Sequence, residues 1–217
     1  MISRDSTGFT FEIAEWAYQD KKRAKTETIQ WVAIASGTYS LADGRTMEVG
    51  TVDTDTTAKA VTFASGFTAP PVVVTTTLTR NDTRPTDSSP TAVTKNGFSV
   101  GLQVEQKGVA THGKETVGYI AMSAGGSVKS GISTLLNVSS TASTWVPPTG
   151  IGSMVVVADT QTRNKATAVA VKLTSVASTG VKLLLEQEAS ASSDVTHPVE
   201  SVGLIAFLQG LIYGRKL

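Results

Sequence analysis

Apolar and polar residues alternate along most of this chain. Phe98, Val100, Leu102 and Val104 alternate with Ser99, Gly101 and Gln103, the period of a strand buried on one face. Phe9, Phe11 and Ile13 alternate with Thr10 and Glu12 in the same way, and a second strand is expected over Ile29 to Ile34. Val, Thr, Ile and Phe fill these runs and suit a pleated surface, while Gly97 and Gly180 mark turns into strands. Pro70-Pro71 and Pro147-Pro148 bar helix just before the valine runs. No window carries a 3.6-residue apolar stripe, so the pattern predicts an all-β chain of small antiparallel sandwiches. One segment breaks the alternation. In Val117-Gly118-Tyr119-Ile120-Ala121-Met122 both alternating sets are apolar, so a second face needs cover from a neighbouring repeat or another subunit. The subunit is the expected cover.

The pattern also repeats. Gly8-Phe9-Thr10-Phe11 leads through a polar loop to Glu27-Thr28-Ile29-Gln30-Trp31-Val32-Ala33-Ile34. Gly97-Phe98-Ser99-Val100 leads likewise to Glu115 through Met122, and Gly180-Val181-Lys182-Leu183 to Glu200 through Phe207. The markers Ala33, Ala121 and Ala206 stand 88 and then 85 residues apart (121 − 33 and 206 − 121). Upstream, Val61-Thr62-Phe63 with Pro70-Pro71-Val72-Val73-Val74 matches Ser143-Thr144-Trp145 with Ser153-Met154-Val155-Val156-Val157. Near-equal steps with shared flanks indicate an internal repeat. The chain divides into a partial copy at 1–36, holding only the closing half of a unit, a full copy at 37–124 and a diverged copy at 125–217. The partial copy is expected to start too late to hold an opening half. Two strands are marginal in water and leave open edges, so residues 1–36 need completion. With Met1 read as the start, other chains of the assembly are the expected donors.

Composition narrows the chemistry. With 40% hydrophobic and 17% charged residues the 217-residue chain fills real cores. A net charge of +1 and a single basic cluster, Lys21-Lys22-Arg23 with Lys25, read as a solvated loop rather than a nucleic-acid groove. No cysteine is present, and His112 and His197 are the only histidines, so no cofactor and no metal site is expected. No signal peptide or bilayer-spanning run is visible; the apolar stretch from Leu204 to Tyr213 is about half a span.

At Val61-Thr62-Phe63-Ala64-Ser65, Pro70-Pro71-Val72-Val73-Val74, Gly97-Phe98 and Val117-Gly118-Tyr119-Ile120-Ala121 the central unit resembles the H-type lectin domain. The run Glu115 to Ala121 behind a His-Gly loop, with Leu41-Ala42-Asp43-Gly44 between units, also looks like repeats of bacteriophage tail-fibre and gene-transfer-agent proteins. The resemblance implies sandwiches of about six strands assembled as homotrimers, with N-acetylgalactosamine-type sugars held between neighbouring subunits. Carried over, it implies a glycan site at Gly50, Asp53, Arg84, Glu105, Gln106 and His112. Glu105 and Gln106 stand where the family has an aromatic–His pair, and the first copy keeps an aromatic at Trp16.

Bland readings compete at each position. His112 and His197, in matching loops, suit backbone hydrogen bonding as well as a sugar contact. Glu27, Glu115 and Glu200 recur where a strand opens, which favours a structural bond over a glycosidase pair. Asp53 and Asp55 read as a solvated turn before a calcium site. The long loops at Asn81 to Arg84 and Arg163 to Lys165 suit receptor contact or solvent equally. No nucleophile elbow or P-loop is present, so no catalysis is expected; the resemblance implies a virion-borne fibre segment that binds host-surface glycan. A structural spacer or decoration protein without a sugar site is the alternative.

Overall fold

Strand pairing in a computed structural model follows the repeat closely. The structure describes residues 3–5, 7–19, 26–127, 129–148, 152–210, 212 and 214–217; Met1 and the basic cluster at 21–25 lie outside them. The strands of copy one are β1 (Ser3–Arg4) and β2 (Phe9–Thr10). Copy two holds β3 (Gly37–Leu41), β4 (Thr46–Thr54), β5 (Lys59–Thr62), β6 (Val72–Thr77), β7 (Asp87–Thr94), β8 (Gly97–Gln103) and β9 (Glu115–Met122). Copy three holds β10 (Gly125–Ser127), β11 (Gly131–Val138), β12 (Ser143–Trp145), β13 (Met154–Thr160), β14 (Val169–Ala177), β15 (Gly180–Gln187), β16 (Glu200–Leu208) and β17 (Gly214–Lys216).

In copy two a sheet of order β17-β3-β4-β9-β6 faces a sheet of order β5-β8-β7; in copy three β10-β11-β16-β13 faces β12-β15-β14. Every pair is antiparallel, and registers match between copies: Val73 lies opposite Ala121 and Val156 opposite Ala206. Register shifts recur too, between Thr91 and Thr94 and between Leu173 and Ser175. The alternation is used as read. Phe98, Val100 and Leu102 point inward to meet Phe63, Phe67, Val117 and Tyr119, while Leu183, Leu185, Val181 and Val202 do so in copy three. Gly50 exists where it does because a Cβ there would lie 2.5 Å from the Tyr119 hydroxyl, which donates to Glu48 across the same core (2.9 Å).

The second face of the closing strands is where the structure corrects the expectation. Ile120 and Met122 of β9 pack with Ile205 and Phe207 of β16 in one buried cluster, which also takes Val72, Val74 and Val157. The neighbouring repeat, not another subunit, supplies this cover. Val32 and Ile34 of copy one join the same cluster, and they are the repeat equivalents of Ile120 with Ile205 and of Met122 with Phe207. Three copies of one strand position therefore converge inside a single chain.

Copy one differs from its expected form in a second respect. Arg4 pairs with Phe9 and Ser3 with Thr10, as Val176 pairs with Val181 and Ser175 with Lys182. Thus β1 stands in the place of the ends of β7 and β14, whose four-residue turn into the next strand it shares. Asp5 closes the turn between β1 and β2, accepting from the Thr7 and Gly8 amides at 2.7 and 3.1 Å. Residues 26–35 pair with no strand among the described residues, because the flanking strands that pair with β9 have no counterpart there.

Candidate functional site

The loops after the second-sheet strands meet in a ring. Glu188 of copy three accepts from the Gln106 amide of copy two (3.2 Å), and Glu105 of copy two accepts from the Tyr18 amide of copy one (3.0 Å). The ring closes where the Ala189 amide of copy three donates to the Tyr18 hydroxyl (3.1 Å). Gln106 adds a bond to the Thr167 hydroxyl at 3.0 Å. Each copy thus contacts the next around a local threefold.

Below this ring, among the copies, lies a cleft of about 840 Å³. Copy one lines it with Glu12, Trp16, Tyr18 and Glu27; copy two with Thr75, Arg80 and Asp87; copy three with Asp159, Val171 and Glu186. A smaller pocket of about 210 Å³ shares Glu12, Arg80 and Asp87 with it and reaches Asp82 and Arg84. Arg80 pairs with Glu12, which ties the arm of copy one to copy two across the cleft.

Two acids in this cleft are not at rest as ordinary carboxylates. Burial holds Asp87 neutral to higher pH, up to about 6. Burial, then the neighbouring charge of Asp87, pushes Asp159 well above the usual carboxylate range, against bonds from the Thr75 amide (3.0 Å) and hydroxyl (2.6 Å). Two carboxyls this close resist double ionisation. Where one carboxyl of such a pair is protonated it donates while its ionised neighbour accepts, which suits a hydroxylated ligand. Sequence reasoning passed over both residues; the one signal was an acid inside the otherwise apolar and β-branched run Met154 to Thr160.

The six residues singled out from the sequence are scattered. Gly50 is covered by the Tyr119 ring, and Asp53 on the same strand accepts from the Thr116 hydroxyl at 2.7 Å. Glu105 and Gln106 belong to the inter-copy ring. Arg84 and His112 do come together: buried His112 bonds the Arg84 carbonyl through Nε2 (3.1 Å) and the Gly113 carbonyl oxygen lies 2.8 Å from Nδ1. The Arg84 guanidinium pairs with Asp82 at the rim of the smaller pocket and holds the Asp82 carboxyl well below the usual range. His197 is buried as well, between Gln187 and Glu200 at 3.0 Å each.

The recurring glutamates take the structural part. Glu115 accepts from the Thr79 hydroxyl and the Asn81 and Asp82 amides at 2.5, 3.0 and 2.8 Å. Glu200 accepts from the Thr162 hydroxyl and the Asn164 amide, both at 2.6 Å. Each ties down the long loop of its own copy. Glu27 has no such loop to hold and faces the cleft instead. Among the described residues no group of three or more acids and histidines is placed to hold a metal ion, and Asp55 serves a turn, accepting from the Thr57 amide at 2.7 Å. No described helix is long and apolar enough to cross a membrane.

No family model, curated protein or solved structure matches the chain.

Proposed function

We propose that this chain is a non-enzymatic binding segment that recognises glycan in the cleft between its copies, as part of a phage or phage-like fibre. The observation that carries the reading is the cleft itself, which is lined by an aromatic ring, Trp16, by two acids, Asp87 and Asp159, and by Arg80 paired with Glu12. An aromatic face plus a few fixed polar groups is the chemistry that reads a sugar ring. The H-type lectin resemblance implies sugars held between neighbouring subunits, and here copies of one chain take the place of subunits around the cleft. The homotrimer implied by that resemblance loses its motive in the two-sided closing strand, since copies of one chain take up that contact. Trimers of whole chains would have to use another face.

A glycan array probed with the full chain tests the reading, followed by titration of the best sugar with Trp16→Ala and Asp159→Asn. Binding that falls at least tenfold in both variants supports it. Binding untouched by both places the sugar elsewhere, and Arg84→Ala then reports on the smaller pocket. Release of oligosaccharide would recast Asp87 and Asp159 as a hydrolytic pair. A spacer without a sugar site is the second reading. It is favoured by how many candidate groups, His112, His197, Glu105 and Glu115 among them, are occupied by internal bonds. An array with no positive sugar supports it.

A further inference from the structure

One repeat position changes its work in copy one. Trp16, Glu105 and Glu188 each stand eight positions after the glycine that turns into the preceding strand (16 − 8, 105 − 97 and 188 − 180). Trp16 and Glu105 open the same turn. The Trp16 carbonyl accepts from the Gln19 amide (2.8 Å) as the Glu105 carbonyl does from the Gly108 amide (3.4 Å). The backbone is kept and the side chain is changed. In the later copies that side chain serves the inter-copy ring: Glu188, 1% exposed, takes the Gln106 amide, and Glu105 takes the Tyr18 amide. Neither glutamate is among the described residues that line the cleft. A tryptophan side chain donates only, so it cannot take this part. The donor it would have served is still there. Ala189 and Gln106 hold one repeat position (189 − 180 and 106 − 97), and the Ala189 amide goes instead to the Tyr18 hydroxyl at 3.1 Å. The acceptor has moved two residues along the turn, and Trp16, unlike its two equivalents, lines the cleft.

We propose that Tyr18 is the positioning residue of the cleft: its hydroxyl takes the ring bond that a glutamate takes elsewhere, which releases position 16 for ligand contact and fixes the turn that carries Trp16. The inference rests on the glycan reading of the cleft. Tyr18 suits the part because it is tied to both other copies, through its amide to Glu105 and through its hydroxyl to Ala189. The turn bond from the Gln19 amide to the Trp16 carbonyl closes around it, so the backbone on which Trp16 sits is held from both sides. A consequence follows for stoichiometry. Only copy one has exchanged its glutamate for an aromatic, so the chain carries one glycan site rather than one for each copy. The Tyr18 ring also lines the cleft, and removal of the hydroxyl alone separates positioning from contact by the ring.

The test is a double-mutant cycle on the full chain, with the best sugar from the array titrated by calorimetry and, for weak variants, by ligand-detected NMR. The unaltered chain should take one sugar. Tyr18→Phe should weaken binding about fivefold, the worth of one neutral hydrogen bond. In a Trp16→Ala background the same change should cost less than about twofold, because Tyr18 acts through Trp16. A second arm moves the acceptor back. Trp16→Glu combined with Tyr18→Phe should restore the slow hydrogen exchange at residues 12–19 that Tyr18→Phe alone loses, while sugar binding is abolished. Equal cost of Tyr18→Phe in both backgrounds overturns the positioning role in favour of direct contact by the hydroxyl. Exchange in the combined variant as fast as in Tyr18→Phe overturns the equivalence of the two acceptors, and three sugars per chain overturn the single site. A chain that binds no sugar overturns the cleft reading and this inference with it. Sugar binding that ignores Tyr18→Phe overturns this inference alone.

Discussion

Glu115, Glu200 and Glu27 occupy one repeat position in three settings, which makes them an internal comparison. A buried carboxylate that accepts several bonds leaves its donors unsatisfied when removed. Glu115→Ala and Glu200→Ala should each lower stability by on the order of 3 kcal/mol in urea unfolding, whereas Glu27→Ala, exposed and without a loop to hold, should stay within about 0.5 kcal/mol. The acid pair gives a pH signature of opposite sign to the usual one. Asp87 and Asp159 are raised on folding, so the native chain binds more protons than the unfolded chain above the ordinary carboxylate range. Their stabilising contribution is complete below pH about 4 and falls as pH rises through about 6. Urea midpoints should therefore drop as pH rises from about 4 through about 6, and Asp159→Asn, which still accepts from Thr75, should flatten that slope. An unchanged slope in the variant would remove the pair from the account. Asp82 and Asp194 act the other way, since their carboxyls are lowered by bonds and cations, but their window lies below pH 4.

At the scale of strands, the alternation in Phe98 to Leu102 made the inner face legible, and the 88- and 85-residue steps made the pairing of equivalent strands legible. What covers the outer face was not, because an apolar residue such as Met122 carries the same pattern whether it meets Phe207 of its own chain or of another. The cleft escaped for a related reason: Asp87 and Asp159 lie 72 positions apart (159 − 87), and only packing of one copy on the next joins them. The strand expected over Ile29 to Ile34 has the right composition but no strand partner among the described residues, and backbone pairing, not propensity, makes a strand. Edge contacts between copies rest on side-chain amides. Gln161→Ala should cost about 1–3 kcal/mol by stripping both bonds from Val73. Gly203→Ala should cost a similar amount, as its Cβ would fall 2.6 Å from Val72 and 2.9 Å from the Gln161 amide. Cooperative unfolding with a lowered midpoint is the expected record for both; a split transition would instead mean that the copies come apart separately.

For the molecule as a whole, the ring of Tyr18, Glu105, Gln106, Glu188 and Ala189 and the shared apolar cluster put a threefold inside one chain. Tyr18→Phe, which deletes the acceptor for the Ala189 amide, should loosen the arm of copy one by about 1 kcal/mol, visible as faster exchange at residues 12–19. Unchanged exchange would show that the Arg80–Glu12 pair and the Tyr18 amide bond to Glu105 suffice to hold the arm. In a ring of identical subunits, any substitution at the axis is made three times at once and must suit every position. Here the gene spells out each position separately. Leu78 and Gln161 hold one repeat position, and Gly118, Gly203 and Gln30 another, so one seam can drift toward grease while its neighbour keeps an amide grip. Such a chain can respecialise one of its three junctions by single mutations that leave the other two as they were.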